Sequence, residues 1–351
     1  MSQSRSNLAV GVFAAFVLTW VPVPARADDT LTVIGGSGPA AFYDVIDHVA
    51  ERAGFYKEEH LVVNPLYANS PYTAAQIVAT GKADICSLSM DPIFQGYDKG
   101  LRLQAFFMRD PQNQFVLAVL DSSPIKTLTD FKGATLGEVS AGSSGETYAN
   151  SILAGAGLKK GDVSYVPIGF GAQELTAFVA KKVDGAVVPA PGITFFEAEE
   201  HVKFRRFFHP ILKDVGNTVY CATPATIAAK ADELSRFARA TVKAAIFIRE
   251  NPQVAARYFL QGAGVNVTDD ALQKQTRWLQ LTRDHLPADD PTNMRIGYIS
   301  PVGMGIYSNF LYVNGATSQP VPVPAILSDQ FIAYANNFDH KAFIARAKAM
   351  R

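Results

Sequence analysis

Cysteine is nearly absent: Cys86 and Cys221 are the only two in 351 residues. They are too few and too far apart for a zinc ribbon, an iron–sulfur site or a disulfide scaffold, so thiolate-based metal chemistry is excluded. Charge is sparse and balanced, with 32 Lys+Arg against 32 Asp+Glu at 18% of the chain and no Lys/Arg block. No excess positive charge exists to hold a phosphate backbone, which argues against nucleic-acid binding. The six histidines, His48, His60, His201, His209, His285 and His340, are scattered without partners at metal-ligand spacing. Gly-x-Ser-x-Gly, His-Glu-x-x-His and phosphate-loop motifs are missing, and Gly36-Ser37-Gly38 lacks the third glycine of a dinucleotide loop. The chain therefore reads as a non-enzyme that calls for no cofactor and no metal.

Hydrophobic residues make up 48% of the chain, and the length suffices for two lobes of roughly 100–200 residues each. Met1–Ala27 has the build of a secretory signal, with Arg5 as the positive start, Leu8–Trp20 as the apolar run and Ala25-Arg26-Ala27 as the cleavage site. The run ends at Pro22 and Pro24, short of the ~20 residues that span a bilayer as a helix; a permanent anchor is the alternative. The expectation is export to the periplasm with Asp28 as the first mature residue. An oxidising compartment permits a Cys86–Cys221 bridge. Both cysteines lie in apolar, strand-like runs, where buried free thiols are the other reading.

Short apolar strands alternate with amphipathic stretches. Leu31–Ile34 is a strand, Ala40–Ala53 a helix closed by Gly54, Leu61–Val63 a strand, Tyr72–Ala79 a helix and Asp84–Leu88 a strand. This βαβαβ order implies a parallel sheet faced by helices. The build returns about one hundred residues later with the strands Thr135–Val139 and Val163–Pro167 and helices over Glu146–Ala156 and Ala172–Val179. Lys182-Val183-Asp184 there repeats the form of Lys82-Ala83-Asp84. From Pro224 the pattern is helical, over Thr226–Glu250, Pro252–Gly262, Asp269–Thr282 and Ser328–Met350. The expected architecture is α/β, with two similar parallel-sheet lobes and a helical C-terminal segment packed on the first. Its divisions are 1–27 signal, 28–115 first part of lobe 1, 116–214 lobe 2 and 215–351 the return to lobe 1. Two chain crossings, near Gln114–Val119 and Val215–Cys221, make a hinge.

In open parallel sheets ligands bind beyond the carboxyl ends of the strands. Here those ends carry Ser37 and Gly38, Ser70 and Tyr72, Ser89 and Asp91, Ser143 and Ser144, Phe170, and Pro189. Most are small or hydroxyl residues beside helix starts, whose free N–H groups attract anions without a lysine. The same residues also cap helices and make turns, and only a pocket that gathers several loops distinguishes the two roles. Arg109 either pairs with an acidic ligand or bridges to Asp110 or Asp91. Glu146 either accepts a ligand hydrogen bond or favours its helix start, and Asp91 with Glu146 is the one pair of acids that offers catalysis.

Ala50-Glu51-Arg52-Ala53-Gly54-Phe55-Tyr56-Lys57-Glu58-Glu59-His60-Leu61-Val62-Val63 is similar to the segment A-x-x-x-G-F-[FY]-K-x-E-G-L-x-V of the nitrate/sulfonate/taurine and thiamine-pyrimidine periplasmic binding proteins, with His60 in place of a glycine. Gly81-Lys82-Ala83-Asp84, Leu128–Gly137, Gly142-Ser143 with Leu158–Val163, and Glu250-Asn251-Pro252 resemble further segments of that family, from Leu31 to about Leu260. The resemblance implies the type II periplasmic-binding fold and a monomeric receptor that closes on a small solute and delivers it to the permease and ATPase subunits of an ABC transporter. It also implies ligand contacts from Ser37, Ser70, Ser89, Ser143 and Ser144. A small organic anion, sulfonate or carboxylate, fits the neutral loops. The alternatives are a pyrimidine or other aromatic solute, or an enzyme or sensor built on the same two lobes.

Overall fold

The computed structural model describes residues 27–36, 44–112, 115–141, 143–169, 171–209, 215–288 and 295–351. Nearly all of the signal segment, and the candidate residues Ser37, Gly38 and Phe170, lie outside the described residues.

Two five-stranded sheets carry the same plan. The first holds β1 (Asp29–Gly35), β2 (Leu61–Tyr67), β3 (Ile85–Ser89), β4 (Gln104–Asp110) and β10 (Thr218–Ala222) in the order β2-β1-β3-β10-β4. The second holds β5 (Phe115–Leu120), β6 (Thr135–Glu138), β7 (Ser164–Pro167), β8 (Gly185–Pro189) and β9 (Phe204–Phe207) in the order β7-β6-β8-β5-β9. Three strands of each sheet are parallel, as the βαβαβ pattern requires. The sheets are nonetheless mixed and not purely parallel. β10 runs antiparallel to β3 and β4, and β5 antiparallel to β8 and β9. Each of these strands arrives directly from the other sheet, so no helical crossover forces it parallel.

Helices α1 (Val45–Arg52), α2 (Phe55–Glu58), α3 (Pro71–Ala79) and α4 (Asp91–Asp98) follow strands of the first sheet. α5 (Ser144–Gly155), α6 (Ala172–Val179) and α7 (Ala190–Glu199) do so in the second. The repeated Lys-x-Asp has a physical basis: Asp84 Oδ2 accepts the Thr32 N–H at 2.9 Å and Asp184 Oδ2 the Thr135 N–H at 2.8 Å. In each sheet the aspartate ties the start of one strand to its parallel neighbour. His60 closes the turn before β2 at φ 52°, in the left-handed region that favours glycine.

The remaining third forms α8 (Pro224–Ala229), α9 (Ala231–Glu250), α10 (Pro252–Gly262), α11 (Asp269–Leu281), α12 (Pro301–Val313), α13 (Val323–Ile326), α14 (Ile332–Ala335) and α15 (His340–Ala349). Phe237 and Phe247 of α9 pack with Phe55, Tyr56 and Tyr220 in the main core, so this tail covers the first sheet. Two expected helices are interrupted. Thr226–Glu250 breaks at Lys230, and Ser328–Met350 breaks before Asp339, whose carboxylate accepts the Ala342 N–H at 2.9 Å and so starts α15 afresh. α12 was hidden in the sequence by Gly303 and Gly305, which weaken helical propensity. Cys86 and Cys221 face each other across β3 and β10 with Cα atoms 5.0 Å apart, and they form a disulfide in the buried centre of the sheet. Among the described residues no helix is long and apolar enough to cross a membrane.

Candidate functional site

The carboxyl ends of the two sheets face one another across a cleft of about 70 Å³. One water needs roughly 10–15 Å³ of such space, so the cleft accommodates a small solute and no polymer. The first sheet contributes Gly36, Asp44, Pro71, Ser87, Ser89, Arg109 and Thr218; the second contributes Phe115, Val139, Ser140, Ser143 and Ser144. Gly36 is required here, because a Cβ would stand 2.9 Å from the Pro71 Cα at the start of α3. Gly145 has the same function opposite: a Cβ would meet the Val187 carbonyl oxygen at 3.2 Å, so glycine lets the start of α5 sit close over β8.

Direct bonds span the seam between the sheets. Ser89 Oγ and Ser144 Oγ are 2.5 Å apart, and Gln95 Nε2 donates to Thr147 Oγ1 at 3.3 Å. The Tyr72 hydroxyl lies against Thr147 and Gln95. A second clasp joins α7 to α11, where Arg277 Nε donates to Glu199 Oε1 at 2.9 Å and the Phe195 and Trp278 rings are 5.2 Å apart.

Of the residues singled out by sequence, the structure brings Ser89, Arg109, Ser143 and Ser144 together on the cleft. Ser143 donates both its backbone N–H and its hydroxyl to Glu138 Oε2, at 3.1 and 3.0 Å, which fixes the first turn of α5. Ser70, Tyr72, Asp91, Glu146 and Pro189 stand outside the lining. Ser70 caps α3 by accepting the Thr73 N–H at 3.2 Å. Pro189 is buried at the start of α7, and Glu146 is half-buried in the first turn of α5. Asp91 is buried beneath the seam and accepts the Tyr307 hydroxyl of α12 at 2.5 Å; burial pushes its carboxyl up, against the Tyr307 and Ser144 hydrogen bonds.

Asp47 and Asp44, on and just before α1, hold Arg109. Its Nη2 is 3.3 Å from Asp47 Oδ2 and its Nη1 4.0 Å from Asp44 Oδ1, and its guanidinium lies 4.7 Å over the Tyr220 ring. Ser87 Oγ also accepts from Nη1. Asp47 is well supplied, because it also accepts the Tyr220 hydroxyl at 2.5 Å and the Tyr56 hydroxyl at 3.0 Å. Asp44 is not: among the described residues its buried Oδ2 has no hydrogen-bond partner, and burial, opposed by Arg109 and reinforced by Asp47, pushes its carboxyl up to about 8. Asp110, at the end of β4, accepts the Gln112 N–H at 3.1 Å through its carboxylate and the Asn217 N–H at 3.0 Å through its carbonyl. His285 Nδ1 lies 3.3 Å from the same carboxylate, so one residue ties both chain crossings to the tail.

Sequence reasoning missed Asp44, Ser87, Phe115 and Thr218. Ser87 had a signal, since it stands two residues before Ser89 on the same face of an otherwise apolar strand. Asp44 and Asp47 are one helical turn apart, which marks a shared face. Phe115 and Thr218 flank the crossings and owe their place to topology alone. Among the described residues no group of three or more His, Cys, Asp or Glu side chains is arranged to hold a metal ion.

The model of the NMT1/THI5-like family matches residues 43–255. No curated protein matches the sequence. Among solved structures, a protein from Bordetella bronchiseptica RB50 superposes with a TM-score of 0.72 at 21% identity, covering 88% of this chain and 96% of that one. The periplasmic aliphatic sulphonate binding protein SsuA from Escherichia coli does so with a TM-score of 0.62 at 17% identity, covering 86% and 93%. The desulfurization enzyme DszB also shares the fold, with a TM-score of 0.52 at 14% identity over 88% of this chain and 99% of that one.

Proposed function

The chain belongs to the NMT1/THI5-like family, and from that premise we propose that it is the extracytoplasmic solute-binding receptor of an ABC-type importer. It captures a small organic anion, a sulfonate or carboxylate, between its two sheets by hinge closure and presents the closed form to a membrane permease driven by ATPase subunits. The receptor acts in the periplasm as a monomer and catalyses no reaction.

The observation that carries this reading is the set of neutral donors on the cleft. Ser89, Ser140 and Ser144 gather where α5 begins, and the unsatisfied N–H groups of a helix start favour negative charge by about 0.3–1 kcal/mol, more when partly buried. Arg109 adds positive potential from behind, although Asp47 and Asp44 absorb much of its charge. The fold is shared with both a sulphonate-binding protein and a desulfurization enzyme. The receptor reading is favoured because Asp91 and Glu146, the acids that sequence offered for catalysis, both stand off the cleft lining.

A thermal-shift screen of Asp28–Arg351 against sulfonates, aliphatic and aromatic carboxylates, nitrate, bicarbonate and pyrimidines tests the proposal. A ligand at one hundred times its Kd adds ~2.7 kcal/mol, which a melting curve resolves. Stabilisation by acids is the expected result. Stabilisation by pyrimidines alone would move the ligand class, and turnover of a hit would move the protein to the enzymes.

A further inference from the structure

Solute capture by the lining residues leaves Asp91 without a role. It is 1% exposed at the start of α4, and no cation pairs with it among the described residues. Its neighbours are hydroxyl groups. Tyr307 of α12 donates to Oδ1 at 2.5 Å, and the Ser144 hydroxyl of α5 is the other hydrogen-bonding group beside the carboxyl. Oδ2 has no bond among the described residues, so it is the oxygen left for a proton. Ser144 Oγ stands 2.5 Å from Ser89 Oγ in a pair where either oxygen can donate, and both serines line the cleft. A chain of hydroxyl groups thus runs from a buried acid to the solute.

Each hydroxyl has one proton to give, so the acid sets the direction of the chain. An ionised Asp91 only accepts: Ser144 donates to it, Ser89 donates to Ser144, and Ser89 turns its lone pairs to the cleft. A neutral Asp91 donates to Ser144, Ser144 to Ser89, and Ser89 into the cleft. Burial favours the neutral form, pushing the carboxyl up against the hydrogen bonds that oppose it. Resting on the receptor reading, we propose that Asp91 is a positioning residue for anion capture: as a neutral acid it aims the Ser144 and Ser89 hydroxyls toward the solute, and on losing its proton it reverses them. Tyr307 and Tyr72 of α3 face Asp91, Tyr148 of α5 faces Tyr307, and Glu146 of α5 faces Tyr72. Burial and Asp91 itself raise both Tyr307 and Tyr72, so neither ionises where Asp91 does.

Isothermal titration of propanesulfonate and butanoate at pH 6 and pH 8.5 tests this on wild type, Asp91→Asn and Ser144→Ala. Wild type is expected to lose affinity as pH rises, because capture holds a proton on Asp91. Asn presents an amide that donates at every pH, so Asp91→Asn is expected to lose roughly tenfold less than wild type and to bind more tightly at pH 8.5. Ser144→Ala cuts the chain and is expected to flatten the profile as well. Asp44, which titrates on the cleft, is common to all three proteins, so the comparison of profiles isolates Asp91. Parallel profiles in wild type and Asp91→Asn, or weaker binding by Asp91→Asn at pH 8.5, overturn the proposal and leave the receptor reading standing. Binding of neither probe overturns it too, and the pyrimidine and aromatic arms of the thermal-shift screen then decide the receptor reading separately. Should Asp91→Asn fail to fold, a loss as steep in Ser144→Ala as in wild type overturns the proposal.

Discussion

Replacing Arg109 with Met keeps an unbranched apolar stem but removes the guanidinium that lies over Tyr220 and the cation beside Asp44 and Asp47. Removing one partner of a buried ion pair costs ~3–5 kcal/mol, because the other is left uncompensated. Asp47 keeps two tyrosine hydroxyls as donors, so the lower half of that range is expected at pH 7. Asp44→Asn has a different sign. Its folded pKa is raised from 3.8 to about 8, so wild type carries no penalty from this group below pH 4 and loses stability as pH rises toward 8. At ~1.4 kcal/mol per pH unit the accumulated loss is on the order of 5 kcal/mol. Asn cannot ionise, so Asp44→Asn should gain on wild type from pH 5 to pH 8.5. Glu174, buried in α6 and also pushed up to about 8 by desolvation, gives both proteins the same slope, and their difference isolates Asp44. Urea denaturation followed by circular dichroism at pH 5, 7 and 8.5 measures all three proteins. An Arg109→Met loss under 1 kcal/mol, or an Asp44→Asn variant that weakens relative to wild type as pH rises, would refute the reasoning.

The disulfide closes a separation of 135 residues, and the chain-entropy relation assigns such a loop about 5 kcal/mol; Cys86→Ala with Cys221→Ala should lose several kcal/mol in urea, and a loss under 1 kcal/mol contradicts its structural role. Trp278 is the sole tryptophan from Asp28 onward and touches Phe195 across the seam, so its emission should shift when solute binds; Phe195→Ala should shrink that shift, and an unchanged response would place closure elsewhere. Burial opposes charge on His285, but the Asp110 hydrogen bond and charge outweigh it and raise its pKa. The pair therefore stabilises fully below pH ~6.5 and is lost as pH rises through the raised value, so His285→Gln should cost most at pH 5.5, and a cost that grows toward pH 8 would reverse the assignment.

Periodicity and small-residue punctuation made the parallel core legible. The paired Asp84 and Asp184 appear in the sequence as a repeat and in the structure as the same strand-to-strand bond. The left-handed turn at His60 was marked only by the resemblance, whose segment has a glycine at that position. Strand direction was not readable for β5 and β10, because an apolar run of five or six residues has no polarity and only its arrival from the other sheet makes it antiparallel. At the site, the serines at helix starts were visible because local chemistry places them. Arg109 was visible as a cation, but its partners Asp44 and Asp47 were not, since nothing local joins α1 to the end of β4. Tyr307 on Asp91 is a contact between residues 216 apart, beyond any local pattern.

On the proposed function, a small solute draws the two sheets together over the cleft. Small-angle scattering of Asp28–Arg351, with and without a saturating hit from the screen, tests it most directly. A smaller radius of gyration is expected on binding, converging on the value for the structure in which Ser89 meets Ser144. Stoichiometric binding with no change in radius would contradict it.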